Sequence, residues 1–124
     1  MFKMIVLVYR LPHLSLAEFE TYWADKHAPL VKKHSKALRF VRYVQSYNVN
    51  SPEVAEFARM RGWTEPCEAL AEVWWQSKAE MEAAFASSEA QAAVAELAAD
   101  EARFCDMTRM AALLTTENVV FDYT

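Results

Sequence analysis

The chain of 124 residues carries 13 basic against 17 acidic residues, a net charge of −4, with 54% hydrophobic and 24% charged residues. That balance fits one soluble domain over residues 1–124, and the lack of a basic block speaks against nucleic acid or an anionic membrane as partner. No apolar run is long enough to cross a bilayer, and a single glycine, Gly62, leaves no phosphate-cradling loop of the P-loop or dinucleotide kind.

The opening MFKMIVLVYR has a short apolar run and no small-residue cleavage site. It reads as a strand over Lys3–Arg10, with the cytoplasm as the expected location. Ile5, Leu7 and Tyr9 share one face and Met4, Val6 and Val8 the other, so both faces are apolar. Leu11-Pro12-His13-Leu14 then turns the chain into a helix. Ser15 caps it, and Glu18, three residues on, completes a capping box. Leu16, Phe19, Trp23 and Leu30 recur at helical spacing, and His27 falls on the same stripe. The pattern continues through Val31, His34 and Leu38. A bend is expected near Ala28, because Pro29 lacks a backbone donor.

A second strand over Phe40–Val49 sets Val41, Tyr43, Gln45 and Tyr47 on one face and Phe40, Arg42, Val44 and Ser46 on the other. Ser51 as cap, Pro52 at the first helical position and Gly62 as stop define a short helix inserted between strands. The third strand, Glu68–Gln76, alternates Ala69, Ala71, Val73 and Trp75 with Glu68, Leu70, Glu72 and Trp74. An alanine-rich stretch follows, broken at Ser87-Ser88 into helices over Lys78–Ala86 and Glu89–Ala99. The last strand lies within Met107–Thr115, with Glu117–Tyr123 as a tail.

This β-α-β-(α)-β-α-β order is the split βαβ of an α+β, ferredoxin-like fold, a four-stranded antiparallel sheet with helices on one face. The helices bury one side of the sheet. The other would present on the order of hundreds of Å² of apolar surface, more than a monomer usually exposes. A twofold homodimer is therefore expected. In the usual strand order the third and fourth strands flank the first, roughly 9–10 Å apart, so Cys67 and Cys105 are expected to stay reduced.

Arg10, Leu11-Pro12, Leu14-Ser15, Glu18-Phe19, Tyr22-Trp23 and His27-Ala28-Pro29-Leu30-Val31 together resemble the opening of EthD-like proteins, members of the dimeric α/β-barrel superfamily. Arg42-Tyr43, Ala71-Glu72-Val73-Trp74 and Phe104-Cys105-Asp106 extend the likeness across the chain. Two loops depart from the pattern: His13 stands where many members have glycine, and Cys67-Glu68 where they have Asp-Gly. The resemblance implies a homodimer with a cleft between helix and sheet in each protomer. It also implies cofactor-free cyclase, dehydratase, isomerase or decarboxylase chemistry, or an accessory role in a degradation operon; more distant relatives act on haem or quinols.

Within that frame His27, Tyr43 and Glu72 are the candidate catalytic residues. Imidazole titrates near neutral pH and needs no cofactor to act as acid or base. The alternative is a histidine merely hydrogen-bonded in the helix–sheet seam. Tyr43 would donate to a carbonyl or phenolate oxygen. Glu72 sits among apolar neighbours on a central strand, where an unpaired carboxylate is costly. It therefore orients a base or substrate, or pairs with Arg10 or Arg42. Substrate binding falls to Arg10, to an apolar wall of Tyr22, Trp23, Phe40 and Trp74, and to Asp106 at the cleft mouth, unless Asp106 caps the last strand instead.

No metal site is expected, since His27 and His34 are two helical turns, roughly 10.5 Å, apart. No cofactor is expected either, although a single axial histidine would suffice for haem. Two functions stay open: a cofactor-independent enzyme acting on a small, mostly apolar oxygenated ring compound, and a non-catalytic ligand-binding or accessory dimer.

Overall fold

The computed structural model describes residues 1–124. Its sheet has the strand order β2-β3-β1-β4 and is antiparallel throughout, with β1 Phe2–Val8, β2 Arg42–Tyr47, β3 Ala69–Trp75 and β4 Ala111–Thr115. This is the ferredoxin-like arrangement. The first strand ends two residues earlier than its composition suggests; beyond it Arg10 makes only an isolated bridge to Cys105.

Register divides the side chains into two sets. Met4 lies opposite Val73 and Leu114, Val6 opposite Ala71 and Ala112, and Tyr43 opposite Val73, which defines the helix-covered face. Lys3 lies opposite Trp74 and Thr115, Ile5 opposite Glu72 and Leu113, and Arg42 opposite Trp74, which defines the open face.

The first helix forms as its caps dictate. Ser15 Oγ accepts from Glu18 N at 3.1 Å while Glu18 Oε1 accepts from Ser15 N at 3.0 Å, and α1 runs over Leu16–Tyr22. Then the helix widens. Trp23–His27 is a π turn in which Ala28 N–H reaches back to Trp23 O, and α2 Ala28–His34 continues from it with Pro29 in its first turn. The expected bend at Ala28 is thus a one-residue expansion just before Pro29. Proline would crowd the carbonyl four residues back in a regular helix, and a wide turn relieves that conflict.

The inserted helix α3, Pro52–Met60, ends in a Schellman motif: Gly62 N–H bonds Arg59 O and Trp63 N–H bonds Ala58 O, each at 3.0 Å. Gly62 takes φ +67 there, a conformation glycine adopts without strain. Helices α4 Lys78–Phe85 and α5 Ser88–Glu101 are capped by Ser77 and Ser87. The second runs two residues past the expected Ala99.

The core forms three clusters under the helices. Val8, Phe19, Trp23, Ala69, Phe104 and Cys105 make one. Val31, Leu38, Ala90, Ala93 and Leu97 make another, where alanines let α5 approach α2 closely. Val73, Trp75 and Met81 make the third. Trp75 is fully buried, and its indole N–H donates to Leu38 O at 2.8 Å. Cys67 and Cys105 are both free, and no helix is long and apolar enough to cross a membrane.

Since the capping box holds the entry to the helix that carries His27, Ser15→Ala should lower stability by about 1 kcal/mol. A urea midpoint shifted down with unchanged slope is the expected reading; no shift would mean the cap contributes nothing.

Candidate functional site

A cavity of about 140 Å³ lies where the three clusters meet. Val8, Trp23 and Phe104 from the first, Val31 and Leu97 from the second and Val73 from the third form its apolar wall. Tyr43 and Phe40 close one side. Val31, Phe40 and Tyr43 also line a shallow cleft of about 470 Å³ between α2 and β2. The polar groups on the inner wall are His27, Glu101, the Tyr43 hydroxyl and the Cys105 thiol.

His27 ends the π turn and is only 5% exposed. Its Nδ1 lies 2.8 Å from Asp100 Oδ2, and Tyr22 Oη donates to Asp100 Oδ1 at 2.7 Å. The imidazole rests against Phe104, ring centroids 5.1 Å apart. Burial pushes the His27 imidazole below its ordinary value, and Asp100 pulls it back only in part. Burial alone would raise the Asp100 carboxyl, but the hydrogen bonds from Tyr22 and His27 outweigh it and hold the group below the usual carboxylate range.

An ionised carboxylate only accepts, so the His27 proton sits on Nδ1. Nε2 keeps its lone pair, since the contact to Asp100 is made through Nδ1. The arrangement is a buried, neutral imidazole fixed in one tautomer by a carboxylate, which is what a general base requires.

Glu101 is the second carboxyl. It makes no side-chain hydrogen bond or ion pair, and burial, aided by the charge of Asp100, raises it to about 7. Burial and the neighbouring Glu101 push Cys105 up to about 12, so it remains a thiol. Burial likewise raises the Tyr43 phenol, whose oxygen accepts from Gln45 Nε2 at 3.2 Å.

The candidate residues therefore separate. His27, Tyr43, Trp23 and Phe40 line the cavity. Tyr22 stands behind it and acts through Asp100. Glu72 lies on the open face, opposite in register to Ile5, and pairs with Lys3 at 2.9 Å instead of with Arg10 or Arg42. Alternation along β3 puts its side chain on the side of the sheet away from His27, so it does not join His27 and Tyr43. Trp74 shares that face, covered by Lys3 and Arg42 with the guanidinium 4.6 Å from its ring, and does not line the cavity. Arg10 lies 3.0 Å from Glu68 and donates to Leu14 O at 2.6 Å, beside a separate surface groove. Asp106 accepts from the N–H and hydroxyl of Thr108, a turn cap and not a cleft mouth.

Asp100 and Glu101 escape the sequence reading because it stops the last helix at Ala99. A signal was there: the buried stripe Ala90, Ala93, Leu97 extends by three and four residues to Asp100 and Glu101.

A family model described as the EthD domain matches residues 11–108. No curated protein sequence matches the chain. Among solved structures, it is similar to an ethyl tert-butyl ether D (EthD) family protein from Bacillus halodurans, at 19% identity and a TM-score of 0.62, covering 95% of this chain and 99% of that one. An EthD-like protein from Ralstonia eutropha aligns at 18% identity and a TM-score of 0.54, covering 98% and 94%. A dimeric protein of unknown function with a ferredoxin-like fold from Bacteroides fragilis aligns at 11% identity and a TM-score of 0.57, covering 92% and 93%. At such identities the structural likeness is one of fold.

The two perturbed groups affect stability in opposite directions. His27 titrates lower when folded, so stability falls as pH drops through the ordinary imidazole value of 6.5, where only the unfolded chain gains the proton. Glu101 titrates higher when folded. Between its ordinary 4.5 and about 7 the unfolded chain loses a proton that the folded chain keeps, so rising pH costs about 3 kcal/mol. Glu101→Gln should therefore gain on the wild type in urea unfolding at about pH 8 relative to about pH 5. Equal differences at both pH values would show that Glu101 titrates normally.

Proposed function

The chain belongs to the EthD family, and from that premise we propose that it is a cofactor-independent lyase, isomerase or cyclase acting on a small oxygenated ring compound, aromatic, lactone or polyketide-like, in catabolism or secondary metabolism. The observation that supports this best is the His27–Asp100 pair at the wall of an apolar cavity, with Nε2 free to take a proton. Asp100 orients the ring and stabilises the imidazolium once the proton arrives. Tyr43 offers a hydroxyl to a substrate oxygen, and Trp23, Phe40 and Phe104 exclude water.

Size narrows the ligand. An apolar cavity of roughly 150 Å³ is known to hold benzene, so about 140 Å³ takes one ring. Any larger part of the molecule would lie in the α2–β2 cleft beyond Tyr43. Haem is far larger than this cavity, which speaks against the haem reading.

The proposal includes a homodimer. Ile5, Leu7, Val44, Leu70, Ala111 and Leu113 share the open face, Leu113 being 48% exposed, and the chain has no helix to cover them. A partner sheet packed there buries them by twofold symmetry. Cytoplasmic location fits the same picture of a metabolic protein.

Proton abstraction is measurable before the substrate is known. Wild-type protein should speed exchange of ring hydrogens α to a carbonyl in cyclohexenones and small lactones in D₂O, followed by proton NMR. His27→Ala and Asp100→Asn should each lose roughly 10²–10⁴-fold while keeping the native circular dichroism spectrum. A wild-type rate no faster than buffer would leave the accessory, ligand-binding role. In sedimentation, the wild type should run at twice the chain mass of 14.2 kDa, and Leu113→Glu should run as a monomer. A monomeric wild type would refute the dimer.

A further inference from the structure

Glu101 is the group that the base mechanism leaves unused. It ends α5 beside Asp100, lines the same cavity as His27, and has no hydrogen-bond or ion-pair partner. A half-buried carboxyl without a partner loses part of its hydration, and on the cavity wall that favours its neutral, proton-donating form. Around it, Asp100 on its own helix is ionised, and on the cavity wall His27 on the π turn is neutral, Tyr43 on β2 keeps its phenolic proton and Cys105 keeps its thiol proton. Arg103 acts on Tyr22 and Asp100 rather than on Glu101. No lysine or arginine lines the cavity.

We propose that Glu101, in its protonated form, is the acid partner of His27, and that the cavity selects an uncharged ring carbonyl whose oxygen receives the Glu101 proton. The inference rests on the base reading of His27 and adds the substrate's charge and the second proton carrier. Burial, with Asp100 next door, keeps that proton on Glu101 up to about pH 7. The same lack of cations, with ionised Asp100 nearby, disfavours any substrate carboxylate or phosphate.

The proton count closes. His27 Nε2 takes a proton from the carbon next to the carbonyl, and that C–H electron pair becomes the new C=C bond. The carbonyl π pair takes the Glu101 proton, which leaves an enol, an imidazolium and a carboxylate. Where the ring carries a β,γ double bond the enol is a dienol; return of the imidazolium proton to its γ carbon, as the double bond shifts to the α,β position and the enol proton goes back to Glu101, gives the conjugated isomer and restores both groups. With a leaving hydroxyl on the β carbon, the same two groups serve an elimination of water: after enolisation, the imidazolium protonates the departing hydroxyl while the enol returns its proton to Glu101.

The test is binding, read by NMR titration of the full-length protein with cyclohex-2-enone, a neutral ring, and with benzoate, a charged one. Wild type should bind the enone at about pH 6 and lose about tenfold in affinity by about pH 8.5, as Glu101 gives up its donor proton. Glu101→Gln, whose amide still donates, should bind equally at both pH values. Benzoate should bind the wild type at least tenfold more weakly than the enone at about pH 6. Enone affinity that ignores pH in the wild type, a pH dependence that persists in Glu101→Gln, equal binding of benzoate, or no binding of either ring would each overturn the inference. His27→Ala separates the two readings, because it should abolish hydrogen exchange yet keep the pH-dependent enone binding. Exchange lost in the wild type with that binding pattern intact refutes the base alone; flat binding with exchange intact refutes the role of Glu101 alone.

Discussion

The Asp100 carboxylate is the contact on which the site depends. Its two oxygens accept from Tyr22 and His27, residues 78 and 73 positions away along the chain. A buried charge is tolerable only with such partners, and here the partners come from the first helix and its π turn. One carboxylate thus ties the end of α5 to the start of the fold. It also fixes the histidine tautomer, and its charge helps keep the proton on Glu101. Remove it, and His27 loses the partner that fixes its tautomer while Tyr22 loses its acceptor.

The sheet separates two kinds of polar chemistry. On the helix-covered face, titratable groups are few, buried or half-buried, and displaced from their ordinary values: His27, Glu101, Tyr43 and Cys105. On the open face, charge is matched by charge. Lys3 bridges Glu72 at 2.9 Å and Glu117 at 3.3 Å, and cations cover Trp74. Matched surface pairs of this kind add little to stability. An unmatched, half-buried carboxyl such as Glu101 subtracts from it, and a fold keeps such a group more readily where chemistry needs it. That contrast favours the helix-covered side as the working face.

The π turn joins these themes. Pro29 would clash in a regular helix, and the expanded turn before it lets the helix run on to His34 without a break. His27 closes that turn, so the residue proposed as base is held where helix geometry is already irregular. Wide turns of this kind recur at functional positions.

Most of the architecture was legible in the chain because its signals are local. Ser15 with Glu18, Ser51 with Pro52, Ser77, Ser87 and the lone Gly62 mark helix ends, and period-two alternation correctly divides β3 into Val73 and Trp75 against Glu72 and Trp74. His27 stood out by falling on an apolar stripe. What alternation cannot say is which face His27 meets, and so the pattern alone groups Glu72 and Trp74 with it although they lie across the sheet. Nor could spacing pair His27 with Asp100, since a contact over 73 residues is made by packing α5 against the π turn. Local spacing and caps are enough to set the elements, their order and the histidine. Which carboxyls stand beside it follows from packing, because proximity between distant residues comes from burial of whole faces and not from local spacing.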